Sequence, residues 1–162
     1  MSTPRIWKSM KHRNRTVSCI GVILLLGSYG SLVIAQDAGI VKLAKGSSFL
    51  LRSGERQAIS IGTTIIATDS VLTGSDGAVG IMLRDNTMLS AGPNSVLQMN
   101  RFAFDTTTHA GNIDVTVKRG TVAVISGKVA KATPRNVNFS TPTMTLGVRG
   151  TEFIIDAGQR PD

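Results

Sequence analysis

Beyond residue 36 the apolar residues come in short runs, and turn-forming residues cut each run before it reaches helical length. Ile113-Asp114-Val115-Thr116-Val117-Lys118 is the cleanest case, since period-two alternation puts Ile113, Val115 and Val117 on one face. Thr121–Ser126 and Ala78–Arg84 are β-branched or apolar runs of strand length. Between the runs stand Ser53-Gly54, Gly74-Ser75-Asp76-Gly77, Asp85-Asn86, Gly92-Pro93-Asn94 and Arg119-Gly120, residues that accept tight turns or positive φ. No segment after residue 36 carries an amphipathic helical stripe of useful length, so the expectation is an all-β chain. Turn signals every 8–12 residues or so fit a sandwich, a barrel or a solenoid. The intervals are uneven and no strict repeat appears, which leaves that choice open.

The N-terminus is of a different kind. Arg5, Lys8, Lys11, Arg13 and Arg15 precede an apolar core, Ile20–Leu26; a Gly/Ser/Tyr stretch follows, and then Val33-Ile34-Ala35. This is the pattern of a secretory signal peptide, helical while it is being handled, with cleavage after Ala35 and a mature start at Gln36. The alternative is an uncleaved membrane anchor, because Thr16 to Ala35 as a helix spans about 30 Å, the thickness of a bilayer's hydrocarbon core. Cys19 precedes the apolar core rather than following it, which argues against a lipoprotein. Both readings export the remainder as a single domain, residues 36–162.

Removing residues 1–35 changes what the composition permits. Five of the 18 Lys/Arg and none of the ten Asp/Glu precede Gln36, so a formal charge of +8 falls to +3. The remaining cations alternate with acids, and nucleic-acid binding, which needs clustered cations, is not expected. Trp7, Tyr29 and Cys19 also leave with the leader. Without cysteine the domain has no disulfide to draw on in an oxidising compartment, so it rests on its own apolar core.

Chemistry-bearing residues are sparse. His109, in the polar segment 105–112, is the one histidine after residue 36, so no His/Cys metal cluster is expected and a solvated loop is the simplest reading. No nucleophile-elbow pattern accompanies it. Asp69, Asp76 and Asp85 are the candidates for paired-carboxylate chemistry or a calcium loop, yet each stands in a turn context where Asp accepts backbone N–H bonds, and their spacing matches no EF-hand. The aromatic platforms that sugar sites use are limited to Phe49, Phe102, Phe104, Phe139 and Phe153, most of them flanked by core-like residues. The sequence therefore points to a non-enzyme with no catalytic, metal or cofactor site.

A resemblance rests on particular residues. Gly39-Ile40-Val41, Gly46-Ser47-Ser48, Ile61-Gly62, the stretch Asp69–Met99 (DSVLTGSDGAVGIMLRDNTMLSAGPNSVLQM), and Thr141-Pro142 followed by Gly147-Val148-Arg149-Gly150-Thr151-Glu152-Phe153 together resemble the FecR domain over about residues 38–157. The resemblance implies a β-helix or β-roll of short strands, with a β-sandwich as the alternative, in a non-enzymatic periplasmic module of envelope signalling or organisation. It also implies a protein partner in the envelope. A module that binds glycan or another envelope polymer is the second reading. The family's sigma-factor regulators carry a cytoplasmic helical region before their membrane span, and the basic stub Met1–Arg15 is too short for one. With an uncleaved leader, the β domain would sit outside the cytoplasm on an inner-membrane anchor.

Within Thr141–Asp156, a strand from Thr151 would put Thr151, Phe153 and Ile155 on one face and Glu152, Ile154 and Asp156 on the other. Gly147 and Gly150 bracket Arg149, so the chain there can bend and bring Arg149 towards Glu152 as a corner lock. An exposed Arg149 contacting a partner is the competing role. Losing one member of a buried pair costs about 3–5 kcal/mol against about 0–1 for an exposed one. Arg149→Ala is therefore expected to lower the melting temperature; an unchanged melting temperature together with lost partner binding would overturn the scaffold role.

Overall fold

The computed structural model describes residues 37–148 and 152–158. The leader and Arg149 lie outside the described residues. The chain is all-β, as expected. Among the described residues, the strands form a six-stranded sheet in the order β13-β10-β7-β6-β1-β4 and a seven-stranded sheet in the order β12-β11-β9-β8-β5-β2-β3. In chain order these are β1 (Asp37–Lys45), β2 (Ser48–Arg52), β3 (Glu55–Ala58), β4 (Thr64–Ile66), β5 (Ser70–Thr73), β6 (Ala78–Leu83), β7 (Met88–Ala91), β8 (Val96–Phe104), β9 (Gly111–Arg119), β10 (Thr121–Ile125), β11 (Val137–Ser140), β12 (Thr145–Gly147) and β13 (Glu152–Asp156).

The chain rolls back and forth between the two sheets. β1, β4, β6–β7, β10 and β13 belong to the first; β2–β3, β5, β8–β9 and β11–β12 fall between them in sequence and belong to the second. Neighbours pair antiparallel except β9 and β11, which are parallel with Val115 opposite Phe139. The exception follows from connectivity, because parallel neighbours need a crossover. Here the chain leaves for β10 in the other sheet and returns through a short helix, α1 (Lys128–Ala132), and a 3₁₀ turn at Pro134–Asn136. A five-residue helix is too short to show a stripe in sequence.

The inward faces share one core. Val79, Ile81, Leu83, Leu89, Val122 and Val124 come from the first sheet, and Leu50, Val71, Leu97, Met99 and Phe139 from the second. Ile113, Val115 and Val117 are fully buried, on the face that alternation assigned to them. Phe139 meets Phe153 edge-on with centroids 5.3 Å apart, so the rings of β11 and β13 tie the two sheets together. The turns also adopt the expected backbone: φ is +51° at Ser53, +86° at Gly54, +68° at Asn86, +50° at Asn94 and +79° at Gly120. At Gly120 a Cβ would run into Ser95, so both the positive φ and the close approach require glycine.

Each change of sheet carries backbone polar groups into the rim of the core, and buried side chains satisfy them. Asp85 is fully buried between β6 and β7. Its carboxylate accepts from Thr87 N (3.0 Å), Thr87 Oγ1 (2.7 Å) and Val129 N (3.2 Å), while its carbonyl accepts from Lys128 N (2.8 Å). Thr87 Oγ1 in turn accepts from Gly127 N at 3.0 Å. One acid thus fixes the β6–β7 turn and the start of α1, 44 residues apart in the chain. At another rim Thr73 Oγ1 accepts from Ser95 N (2.8 Å) and donates to Gly92 O (2.6 Å). Ser95 Oγ bridges the backbone N and O of Thr121, both at 3.1 Å. Asp69, also buried, takes two hydrogen bonds from Arg52 (2.9 and 2.7 Å) and one from Ile66 N (2.8 Å).

Asp85→Ala strands at least two buried N–H donors at a cost of about 1–3 kcal/mol each. Denaturant unfolding should show a loss of about 2–4 kcal/mol with an unchanged slope, and hydrogen exchange should rise first at residues 127–129. Arg52→Ala leaves the buried Asp69 carboxylate without its cation; with the Arg52 side chain one-third exposed, the expected loss is smaller, about 1–3 kcal/mol.

Candidate functional site

Three acids singled out by sequence do turn work. Asp69 and Asp85 are the buried pins described above. Asp76, in the Gly74–Gly77 turn, accepts from Ser47 N at 3.1 Å and holds the β1–β2 turn against the β5–β6 turn. That bond is the main reason its carboxyl is held below the ordinary value of 3.8. Asp105 opens the β8–β9 loop, accepting from the N–H groups of Thr107 (2.8 Å) and Thr108 (2.9 Å), and the Thr108 bond leads in lowering its carboxyl likewise. His109 closes that loop with φ +58°, its ring stacked on Phe104 at 6.2 Å.

In sequence the glycine-flanked cluster falls between two edge strands, β12 and β13. β12 is the end strand of the second sheet and pairs β11; β13 is the end strand of the first and pairs β10. Val148, after β12, is buried and donates to Val137 O at 3.2 Å. Glu152 opens β13 opposite Ile125, exposed on the outward face. Residues 149–151 lie outside the described residues, so the Arg149–Glu152 lock stays an expectation. The alternation assigned to this strand is as expected: Ile155 is buried and Phe153 packs against the core, while Glu152, Ile154 and Asp156 face out. β12 is exposed along its length, with Leu146 at its centre and Met144 just before it. A groove of about 430 Å³ lined by Pro134, Arg135, Gly147 and Val148 adjoins it.

The outward faces of the two sheets differ in kind. On the second sheet Ser70, Gln98, Thr116, Ser140 and Thr145 fall in one register row across five strands. Thr116 Oγ1 lies 3.0 Å from Ser140 Oγ, and Asn100 Nδ2 donates to Asp114 and Thr116, each at 2.8 Å. On the first sheet the corresponding row is Ile40, Met82, Met88 and Ile125, ending at Glu152. The next row runs from Leu43 over Gly80 to Ser90, Ala123 and Ile154. Ile154 is 70% exposed and Ile125 45%. Sequence reasoning passed over this surface, although it left a signal: Ala78–Leu83 and Thr121–Ile125 are nearly continuous apolar runs, which strands covered on both faces show.

Comparison with known proteins adds one finding: the family model described as FecR protein matches residues 69–161. The match begins at Asp69 and takes in β5 to β13, including the Thr141–Asp156 stretch; β1–β4, which the sequence resemblance also included, precede it. No curated protein and no solved structure matches significantly.

The lowered carboxyls of Asp76 and Asp105 fix the sign of a pH effect. A carboxyl depressed by folding stabilises the fold fully above the unfolded value near 3.8, and that contribution is lost as pH falls through the lower folded value. Carboxyl titration by NMR should place both groups below the ordinary range, and Asp76→Asn should flatten the fall in melting temperature below pH 3.8.

Proposed function

Because the chain belongs to the FecR protein family, whose model covers residues 69–161 and so more than half of it, we propose that it is a non-enzymatic exported interaction module. It acts outside the cytoplasm, in the periplasm, in envelope signal reception or organisation through a protein partner. FecR domains belong to envelope signal transduction and lie on the periplasmic side of membrane-associated regulators. The family match carries the proposal. The partner is taken at the β12 edge and its groove, where an extended segment can add a strand through backbone hydrogen bonds while side chains set register. Leu146 and Met144 supply apolar contact there, and Arg149 and Glu152 follow it in sequence.

A second reading has its own support. The neutral hydroxyl and amide row on the second sheet suits a hydroxyl-rich polymer, which makes an envelope glycan the alternative ligand.

Capture from envelope extracts on the immobilised protein, read by mass spectrometry beside retention on purified wall polymer, separates the readings. A specific protein should be retained, and Leu146→Lys should reduce its capture at least tenfold or so, with the melting temperature read beside it because Leu146 lies on the same face as Phe139. Retention on wall polymer with no protein partner would replace the proposal with the alternative.

A further inference from the structure

The outward face of the first sheet is apolar in its middle and charged at its two sides, with opposite sign at each. On the β1 side stand Lys45 at one end, Arg84 at the other and Lys42 between them; on the β13 side stand Asp156 and Glu152. No charged side chain interrupts the rows of Met82, Met88 and Ile125 between them. Lys42 and Arg84 border a shallow cavity of about 320 Å³ floored by Ile40 and Met82. The acid that shares this cavity, Asp37, is within electrostatic reach of Arg52. At the far side Ile154 projects as the most exposed large apolar side chain among the described residues.

From this arrangement we propose that the outward face of the first sheet is the interface with a second copy of the chain. Opposite charges on opposite sides of an apolar sheet face make it complementary to itself. A two-fold axis parallel to the strands, midway between two facing sheets, lays the β13 side of each copy over the β1 side of the other. Met82 and Met88 then lie near the axis, Ile154 of each copy meets Leu43 of the other, Asp156 comes within reach of Lys45, and Glu152, which lands over the Ile40–Met82 row, comes within reach of Lys42 and Arg84. The other two-fold arrangement, with the axis across the strands, would set lysine against lysine, so the charges select one orientation. Paired sheet faces about 10 Å apart are an ordinary β packing. This also accounts for β6 and β10 reading as strands covered on both faces. The proposal is independent of the hetero-partner at β12, which belongs to the edge of the other sheet.

The test uses the protein in the form in which it accumulates in the cell, by sedimentation equilibrium over a range of concentrations, with thermal melting as the folding control. The mass should rise from one chain towards two. Ile154→Asp should abolish the rise without lowering the melting temperature. Lys45→Glu and Asp156→Lys should each weaken association about tenfold, since the two-fold repeats every pair twice. The double reversal should return to within about threefold of the parent, because the pair is restored with its sign exchanged. Three results would each overturn the proposal: a one-chain mass at every concentration, a dimer indifferent to Ile154→Asp, or single reversals that the double does not rescue.

Discussion

A chain that changes sheet after nearly every hairpin repeatedly brings backbone N–H and C=O groups to the rim of an apolar core, where water cannot satisfy them. The fold depends on meeting that demand, and it does so with a few short polar side chains. Asp85 serves four bonds at one rim, Thr73 and Ser95 share a cluster at another, and Asp69 closes the β4–β5 corner with help from Arg52. Without them, facing sheets with good apolar faces would still have costly connections between them. This is why acids that looked like possible reagents are structural: a carboxylate is the strongest compact acceptor available for several converging amides.

Those rim contacts set the order of the strands, and the order gives each sheet its character. Because β8, β9 and β11 meet on one sheet, their outward alternation of Gln, Asn, Asp, Thr and Ser becomes a continuous hydrophilic surface. Because β6, β7 and β10 meet on the other, Met82, Met88 and Ile125 line up instead. Neither surface belongs to a single segment. The edges β12 and β13 lie next to each other in sequence and in different sheets, so the stretch Thr141–Asp156 gives an edge strand to each sheet.

Much of this was legible locally. Ile113, Val115 and Val117 could be assigned to the core because period two is a property of one strand, and the turn backbones at Ser53-Gly54, Asn86, Asn94 and Gly120 follow from residue type. The outward face of β13 was read correctly for the same reason. The five-residue α1 was not legible, since Val129 and Ala130 are too few to make a stripe and the segment is held by an acid 44 residues earlier. The apolar outer face was half-written in the unalternating runs of β6 and β10, but a run alone does not say which strands lie beside it.

The sequence by itself determined the all-β class, the turns, the inward side chains of its clearest strands and the family. These depend on the alternation of a single strand, on the φ each residue tolerates and on motif order. Tertiary structure alone decided which strands neighbour one another, that Asp85 secures α1, and that one sheet face is polar and the other apolar with opposite charges at its sides. Each of these joins residues tens of positions apart, and nothing in the local chain encodes a pairing until burial of a shared core and satisfaction of its rim select one.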